Sequence, residues 1–181
     1  AQPFLSDIKT LRERARQHVE QGAVTDTYGA DVAKTIDGVV TFQGAAGLDP
    51  FLARTEILVC LLPLTPATAG ILDRKLFARL KRDGAANGAY LINAGRGPLQ
   101  VDADILAALD DGTLAGATLD VFPQEPLPPD SPMWAHPKVT VTPHNAGDIL
   151  PDLLAAQVMR QIARLERGGP LENSVDRRRG Y

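Results

Sequence analysis

Cysteine is nearly absent from this sequence. The 181 residues include one, Cys60, so no internal disulfide can form. Its thiol lies in the apolar run Ile57-Leu58-Val59-Cys60-Leu61-Leu62 and reads as a buried structural group in a reducing setting. Long hydrophobic runs are missing as well, since this one falls far short of the roughly 20 residues of a membrane span. An excess of positive charge is missing too: 19 Lys and Arg stand against 22 Asp and Glu, a net charge of −3. That balance argues against an extended nucleic-acid footprint. The one basic cluster, Arg177-Arg178-Arg179, reads as a solvated tail or a local anion contact. Asp7, Lys9, Arg12 and Glu13 come too early for a secretory signal, and the expected location is cytoplasmic. No internal repeat or low-complexity tract occurs. What is present, 44% hydrophobic and 23% charged residues, is the composition of a globular protein with one sizeable core.

Two stretches differ in character. Between Ser6 and Gln21 the apolar residues Ile8, Leu11, Ala15 and Val19 recur at spacings of three and four. With Ser6 as N-cap and Gly22 as stop they predict an amphipathic helix. Residues 23–37 show no strong period. From about Gly38 the pattern alternates. Leu58–Leu62 predicts a fully buried strand, followed by a Pro- and Thr-rich turn (Pro63-Leu64-Thr65-Pro66) and a helix over about 73–81. Ala89–Asn93 predicts a second strand, which ends in the turn Ala94-Gly95-Arg96-Gly97. Asp102 is placed to cap a helix reaching about Asp110, with Gly112 as its stop. Gly116–Phe122 and Val139–Val141 predict two more strands, separated by a proline-rich loop over 123–132, and a last helix spans about 151–167. Apolar strands alternating with helices imply a parallel sheet buried on both faces, whose ligands gather at the carboxyl ends of the strands.

Those ends carry the polar residues with most chemistry: Arg96, Asp120 with Glu125, and His144. An imidazole just past a strand end can exchange a proton near neutral pH, as carbonyl reduction requires. Glu125, in a loop stiffened by Pro123, Pro126, Pro128 and Pro129, could hold that imidazole in one orientation and favour its proton-donating form. Arg96 offers a planar fork suited to the carboxylate of a 2-oxo acid. Taken singly, each has an ordinary reading: a turn histidine, a loop-capping arginine, a solvated glutamate. The joint placement after three separate strands on one rim makes a catalytic reading of the trio worth testing.

The stretches Asn93-Ala94-Gly95-Arg96-Gly97, Leu119-Asp120-Val121-Phe122-Pro123-Gln124-Glu125-Pro126-Leu127-Pro128 and Thr142-Pro143-His144 resemble the D-2-hydroxyacid dehydrogenases in order and spacing. Leu61-Leu62-Pro63-Leu64-Thr65-Pro66-Ala67-Thr68 is similar to the segment preceding those motifs. The ending Val175-Asp176-Arg177-Arg178-Arg179-Gly180-Tyr181 is similar to that of the glyoxylate/hydroxypyruvate reductase A branch. The resemblance covers about residues 38–181. It implies an α/β fold: the second half of a Rossmann-type parallel sheet flanked by helices, preceded by the N-terminal amphipathic helix. It further implies an oxidoreductase that reduces small 2-oxo acids such as glyoxylate and hydroxypyruvate with NADP or NAD. Arg96 would bind the substrate carboxylate and carbonyl, His144 would donate the proton, and Glu125 would pair with His144. Asp120 would bond the nicotinamide carboxamide, and backbone at Leu62, Pro63 and Ala94, Gly95 and Arg96 would line the cofactor. The full-length family would be homodimeric, with no membrane or nucleic-acid partner and no metal.

The sequence also departs from that family. No G-x-G-x-x-G turn, the usual pyrophosphate cradle, occurs in it, and Gly38, Gly44 and Gly47 show neither its spacing nor an evident strand-turn-helix setting. The matched motifs leave NADH and NADPH equal. Residues 1–37 read as an N-terminal helical segment of separate origin, and residues 3–36 weakly resemble the N-terminal arm of ferritin-like proteins. They include Glu13, His18 and Glu20 but no Glu-x-x-His pair. The 181 residues are therefore expected to form an incomplete dehydrogenase with little activity alone. Two alternatives stand beside this reading, a non-catalytic assembly module and a ferritin-like iron-binding protein.

Overall fold

The computed structural model describes residues 27–28, 40–147, 151–172 and 174. The expected helix over 6–21, the arginine cluster at 177–179 and the carboxylates and histidine assigned to the N-terminal arm lie outside them. The chain divides into two compact units, residues 1–55 and 56–181.

In the first unit, β1 (Thr27–Tyr28) pairs in parallel with β2 (Thr41–Phe42), and α1 (Gly44–Leu52) follows. Gly44 makes the turn between strand and helix at φ 66°, a left-handed conformation that costs glycine little. The Phe42 and Phe51 rings lie 5.9 Å apart at a tilt of 55°, so the end of α1 packs back on the strand that precedes it. Gly44 and Gly47 thus sit in a strand-turn-helix setting, contrary to expectation. Two-residue strands are too short to show a period, and Pro50 inside the helix reads as a breaker.

The second unit is built on four parallel strands, β3 (Ile57–Cys60), β4 (Tyr90–Asn93), β5 (Gly116–Leu119) and β6 (Val139–Val141), ordered as they occur in the chain. Leu58 lies opposite Leu91, Leu91 opposite Ala117, and Ala117 opposite Val139. That row and the row holding Cys60, Asn93 and Leu119 point to the covered face. The expectation of burial on both faces is corrected here. Along β3 exposure alternates, with Ile57 44% and Val59 51% exposed. Successive side chains of a strand point to opposite faces, and β3 is an edge strand of its sheet. Cys60 is buried as expected, and burial pushes its thiol pKa up against a smaller opposing effect of a backbone bond from Leu62.

Between β3 and β4 stands α2 (Arg74–Phe77), one turn where a longer helix was expected. Asp73 caps it by accepting the Leu76 N–H at 2.8 Å, and the chain then leaves the helix through turns at Leu76 and Phe77. The next helix, α3 (Asp102–Asp110), has the expected bounds, but its N-cap is Val101, so Asp102 is its first helical residue. Gly112, at φ 79°, follows its end. Phe77, Ile105, Leu109, Leu91 and Leu119 are all fully buried, and α3 packs on α2 and on β5. The last helix, α4 (Pro151–Glu166), ends at Gly168, φ 74°. There the Gly168 N–H bonds to Leu165 O and the Gly169 N–H to Arg164 O, each at 2.9 Å. Its residues Leu154, Val158, Ile162 and Leu165 form an exposed apolar stripe that meets Leu171 across a shallow groove. No helix among the described residues is long and apolar enough to cross a membrane.

Leu91 occupies the middle of β4 at 0% exposure. Leu91→Ala is expected to cost about 2–5 kcal/mol in urea-induced unfolding, because the rigid sheet cannot close over the cavity. A loss below about 1 kcal/mol would mean the site collapses freely.

Candidate active site

The carboxyl ends of β3 to β6 open onto loops that are tied to one another. The Ala94 N–H donates to Cys60 O at 3.1 Å, the Asp120 N–H to Asn93 O at 2.9 Å, and the Thr142 N–H to Leu119 O at 3.0 Å. The loops after β3 and β4 are joined as well, through Gly70 N–H to Pro98 O and Leu72 N–H to Leu99 O, both at 2.9 Å.

Beneath the glycine turn after β4 lies a polar network that the sequence reading did not single out. Asn93 is fully buried. Its Oδ1 accepts the Gly95 N–H at 3.1 Å, and its Nδ2 donates to Gln100 Oε1 at 2.8 Å and to Arg96 O at 3.3 Å. Gln100 Nε2 in turn donates to Asp102 Oδ1 at 2.9 Å. A satisfied buried amide fixes the turn, whereas an unsatisfied one would cost about 1–3 kcal/mol. The signal available in the sequence was the two-residue spacing from Leu91, which places Asn93 on the covered face. Close approach explains the two glycines. A Cβ on Gly95 would lie 2.9 Å from Leu62 O, and one on Gly97 only 1.9 Å from the Phe122 carbonyl carbon. Leu62, Pro63 and Ala94, expected to line a cofactor, are half-buried, and Gly95 lies against the Leu62 backbone and the Leu99 side chain.

The predicted pair is formed. His144 Nδ1 lies 2.7 Å from Glu125 Oε2, and the other oxygen, Oε1, accepts the Phe122 N–H at 2.9 Å. The Phe122 bond first, and the His144 bond after it, hold the Glu125 carboxyl below its ordinary 4.5, against smaller raising effects of burial and of Asp120. An ionised carboxylate only accepts, so Nδ1 carries the ring proton toward Glu125 and Nε2 is left to exchange the other. The imidazole is about half exposed. Arg96 is exposed on the same side of the sheet, its Nη1 donating to Gly95 O at 2.6 Å. Among the described residues it makes no hydrogen bond or ion pair with Glu125 or His144.

Asp120 is nearly buried, at 5% exposure. Its Oδ1 accepts from Thr142 Oγ1 and from the Asn145 N–H at 3.1 Å, and its Oδ2 from the Ala146 N–H at 2.9 Å. Burial alone would raise its pKa. The bonds from Thr142, Ala146 and Asn145, together with the charge of His144, outweigh that and hold it below the ordinary 3.8. These bonds bracket His144, whose φ of 53° is left-handed for a residue with a Cβ, a conformation that costs about 1–3 kcal/mol and persists only where the surroundings impose it.

Comparison with known proteins shows the family. Residues 12–146 match the family model described as "D-isomer specific 2-hydroxyacid dehydrogenase, NAD binding domain". The chain belongs to this family. An NADPH-dependent glyoxylate/hydroxypyruvate reductase from Sinorhizobium meliloti, solved with NADP and sulfate, is 49% identical. It superposes with a TM-score of 0.83 over 93% of this chain and 53% of its own. A probable 2-hydroxyacid dehydrogenase from Rhizobium etli, solved with NADP, HEPES and L(+)-tartaric acid, is 47% identical, with a TM-score of 0.81 over 94% and 53% of the two chains. A family member from Xanthobacter autotrophicus, solved with NADPH and MES, is 44% identical, with a TM-score of 0.80 over 90% and 64%. The chain therefore spans between half and two thirds of these relatives. The four-stranded parallel sheet flanked by helices is the expected Rossmann-like half. The family match begins at residue 12, well before the Gly38 limit of the motif resemblance. The ferritin-like resemblance of residues 3–36 finds no support.

The carboxylate shifts set the pH behaviour. Glu125 has a folded pKa below its unfolded value, so its contribution to stability is complete above about 4.5 and is lost as pH falls through the depressed folded value. Glu125→Gln, neutral throughout, should be less stable than wild type at neutral pH, and the gap should shrink on acidification. Urea midpoints of the two proteins across that range measure it; a gap independent of pH would refute the assignment.

Proposed function

We propose that the protein carrying this chain reduces small 2-oxo acids, glyoxylate and hydroxypyruvate among them, to 2-hydroxy acids with NADPH or NADH. The observation that carries the reading is the His144–Glu125 pair, which engages Nδ1 at 2.7 Å and leaves Nε2 for the substrate. Support for the substrate class comes from the Sinorhizobium relative, named a glyoxylate/hydroxypyruvate reductase, and from the Rhizobium relative, solved with tartaric acid, itself a 2-hydroxy acid.

The residues present fit the nicotinamide end of the cofactor. Leu62, Pro63 and Ala94 offer a half-buried, uncharged shelf, and Gly95 lets the backbone of two loops meet beneath it. Asp120 Oδ2, which takes a single N–H from Ala146, is the atom a carboxamide would reach. A bound nicotinamide supplies the hydride for the carbonyl carbon.

The chain's own groups account for the rest. Arg96 receives the substrate carboxylate through its two-pronged guanidinium once it swings from Gly95 O. Protonated His144 gives its Nε2 proton to the carbonyl oxygen, which becomes the hydroxyl. The ring is then neutral with its remaining proton on Nδ1, the tautomer that Glu125 already accepts, so no ring flip intervenes. In the reverse direction the same nitrogen takes the proton back.

The test is steady-state reduction of glyoxylate and hydroxypyruvate with NADPH and with NADH, followed at the nicotinamide absorbance. His144→Ala should lower kcat by about 10²–10⁴ with little change in KM. Arg96→Lys should lower kcat/KM severely, because an ammonium cannot reproduce the fork. Near-normal turnover in either variant, or no reduction of any 2-oxo acid by wild type, would overturn the proposal.

A further inference from the structure

We infer that Thr142, acting with Asp120, is a positioning residue that sets the imidazole of His144 for proton transfer. The inference rests on the proposed reduction for its kinetic consequence and on the rim geometry alone for its structural one. His144 holds φ 53° in a segment that runs on without regular structure to Gly147. Histidine enters the left-handed region more often than most residues with a Cβ, yet still at a cost that has to be offset. The restraint comes from across the sheet. The buried Asp120 carboxylate gathers the backbone N–H groups of Asn145 and Ala146, at 3.1 and 2.9 Å, from just beyond His144, and the Thr142 hydroxyl from just before it.

Thr142 is the member that aims the carboxylate. Its hydroxyl donates to Oδ1, the same oxygen that accepts Asn145 N–H, while its own N–H is fixed on Leu119 O at 3.0 Å. One donor is thus anchored in the β5–β6 ladder, and the carboxylate it fixes dictates the turn beyond Pro143. Without the hydroxyl, the Asp120 carboxylate keeps only bonds to the segment it has to position, so carboxylate and turn can drift together about the fixed Asp120 backbone. The His144 ring then leaves the 2.7 Å approach to Glu125. Displacement of about 1 Å at a reacting group is worth up to about 100-fold in rate.

Thr142→Val keeps the shape and removes the donor; Thr142→Ser restores it. Two readouts decide. In the assay above, Thr142→Val should lower kcat by about 10- to 100-fold with KM for the 2-oxo acid nearly unchanged, and Thr142→Ser should recover most of the loss. Independently of turnover, the imidazole ¹⁵N shifts of His144, followed across a pH series, report which ring nitrogen carries the proton in the neutral form. The chain has 3 histidines, which makes assignment by His144→Gln direct. Wild type and Thr142→Ser should be held as the Nδ1–H form, and Thr142→Val should move toward the Nε2–H form of a free imidazole. An unchanged tautomer in Thr142→Val overturns the inference, as does a loss of kcat and KM together that serine fails to rescue. If wild type reduces no 2-oxo acid, the proposed function fails and the tautomer measurement still decides the positioning role.

Discussion

The Asp120 carboxylate is the junction on which the rim of this sheet depends. Its backbone hangs from Asn93 at the end of β4, and its side chain gathers the hydroxyl and two N–H groups of the chain leaving β6. A nearly buried carboxylate is tolerated only when its lone pairs are met, and here the groups that meet them flank His144. The desolvation cost of one acid is therefore offset by the bonds that impose an unfavourable backbone angle on His144. Packing supplies the platform, since the fully buried Leu91 and Leu119 fix the strand ends from which all three loops start.

Division of labour among the loops follows from their lengths. The turn after β4 is short and held by Asn93 and Gln100, so it can present Arg96 on a rigid base, with the guanidinium bonded back to Gly95 O. The loop after β5 is long and rich in proline, which lowers the entropy lost on ordering it. Glu125 then needs one backbone bond, from Phe122, to hold its orientation. The segment after β6 has neither advantage, and it is the one that borrows its restraint from a neighbour.

Much of this was legible in the sequence. The extent of α3 and the bounds of β6 followed from apolar runs and the Gly112 stop, although the cap of α3 fell on Val101 and not Asp102. The Arg96, Glu125 and His144 motifs pointed to one rim and one family. What escaped reading escaped for physical reasons. Strands β1 and β2 are two residues each, below any detectable period, and α1 carries a proline in its interior. The β3 run Ile57–Cys60 looks uniformly apolar, yet only alternate residues are covered, because apolar character does not report which face a neighbour occupies. Thr142 is a common polar residue whose partner lies 22 positions away, while Asn93 and Gln100 bond each other across a turn whose close geometry exists only in the folded chain. The 2.7 Å approach of His144 to Glu125 could be hoped for from the motifs but not measured in them.

The absence of a side chain at Gly97 has a consequence for how the rim comes apart. Its Cα faces the Phe122 carbonyl so closely that a single methyl group would not fit, and the Phe122 N–H is what steadies Glu125. The Arg96 turn and the Glu125 loop therefore meet with no room between them, and the chain leaving β5 is tied to the His144 turn through the Asp120 and Glu125 carboxylates. In amide hydrogen exchange such a region opens as one cooperative unit, with the amides of Phe122, Asn145 and Ala146 exchanging through a common event. Opening of that region would take Glu125 and the His144 turn from their places in the same event.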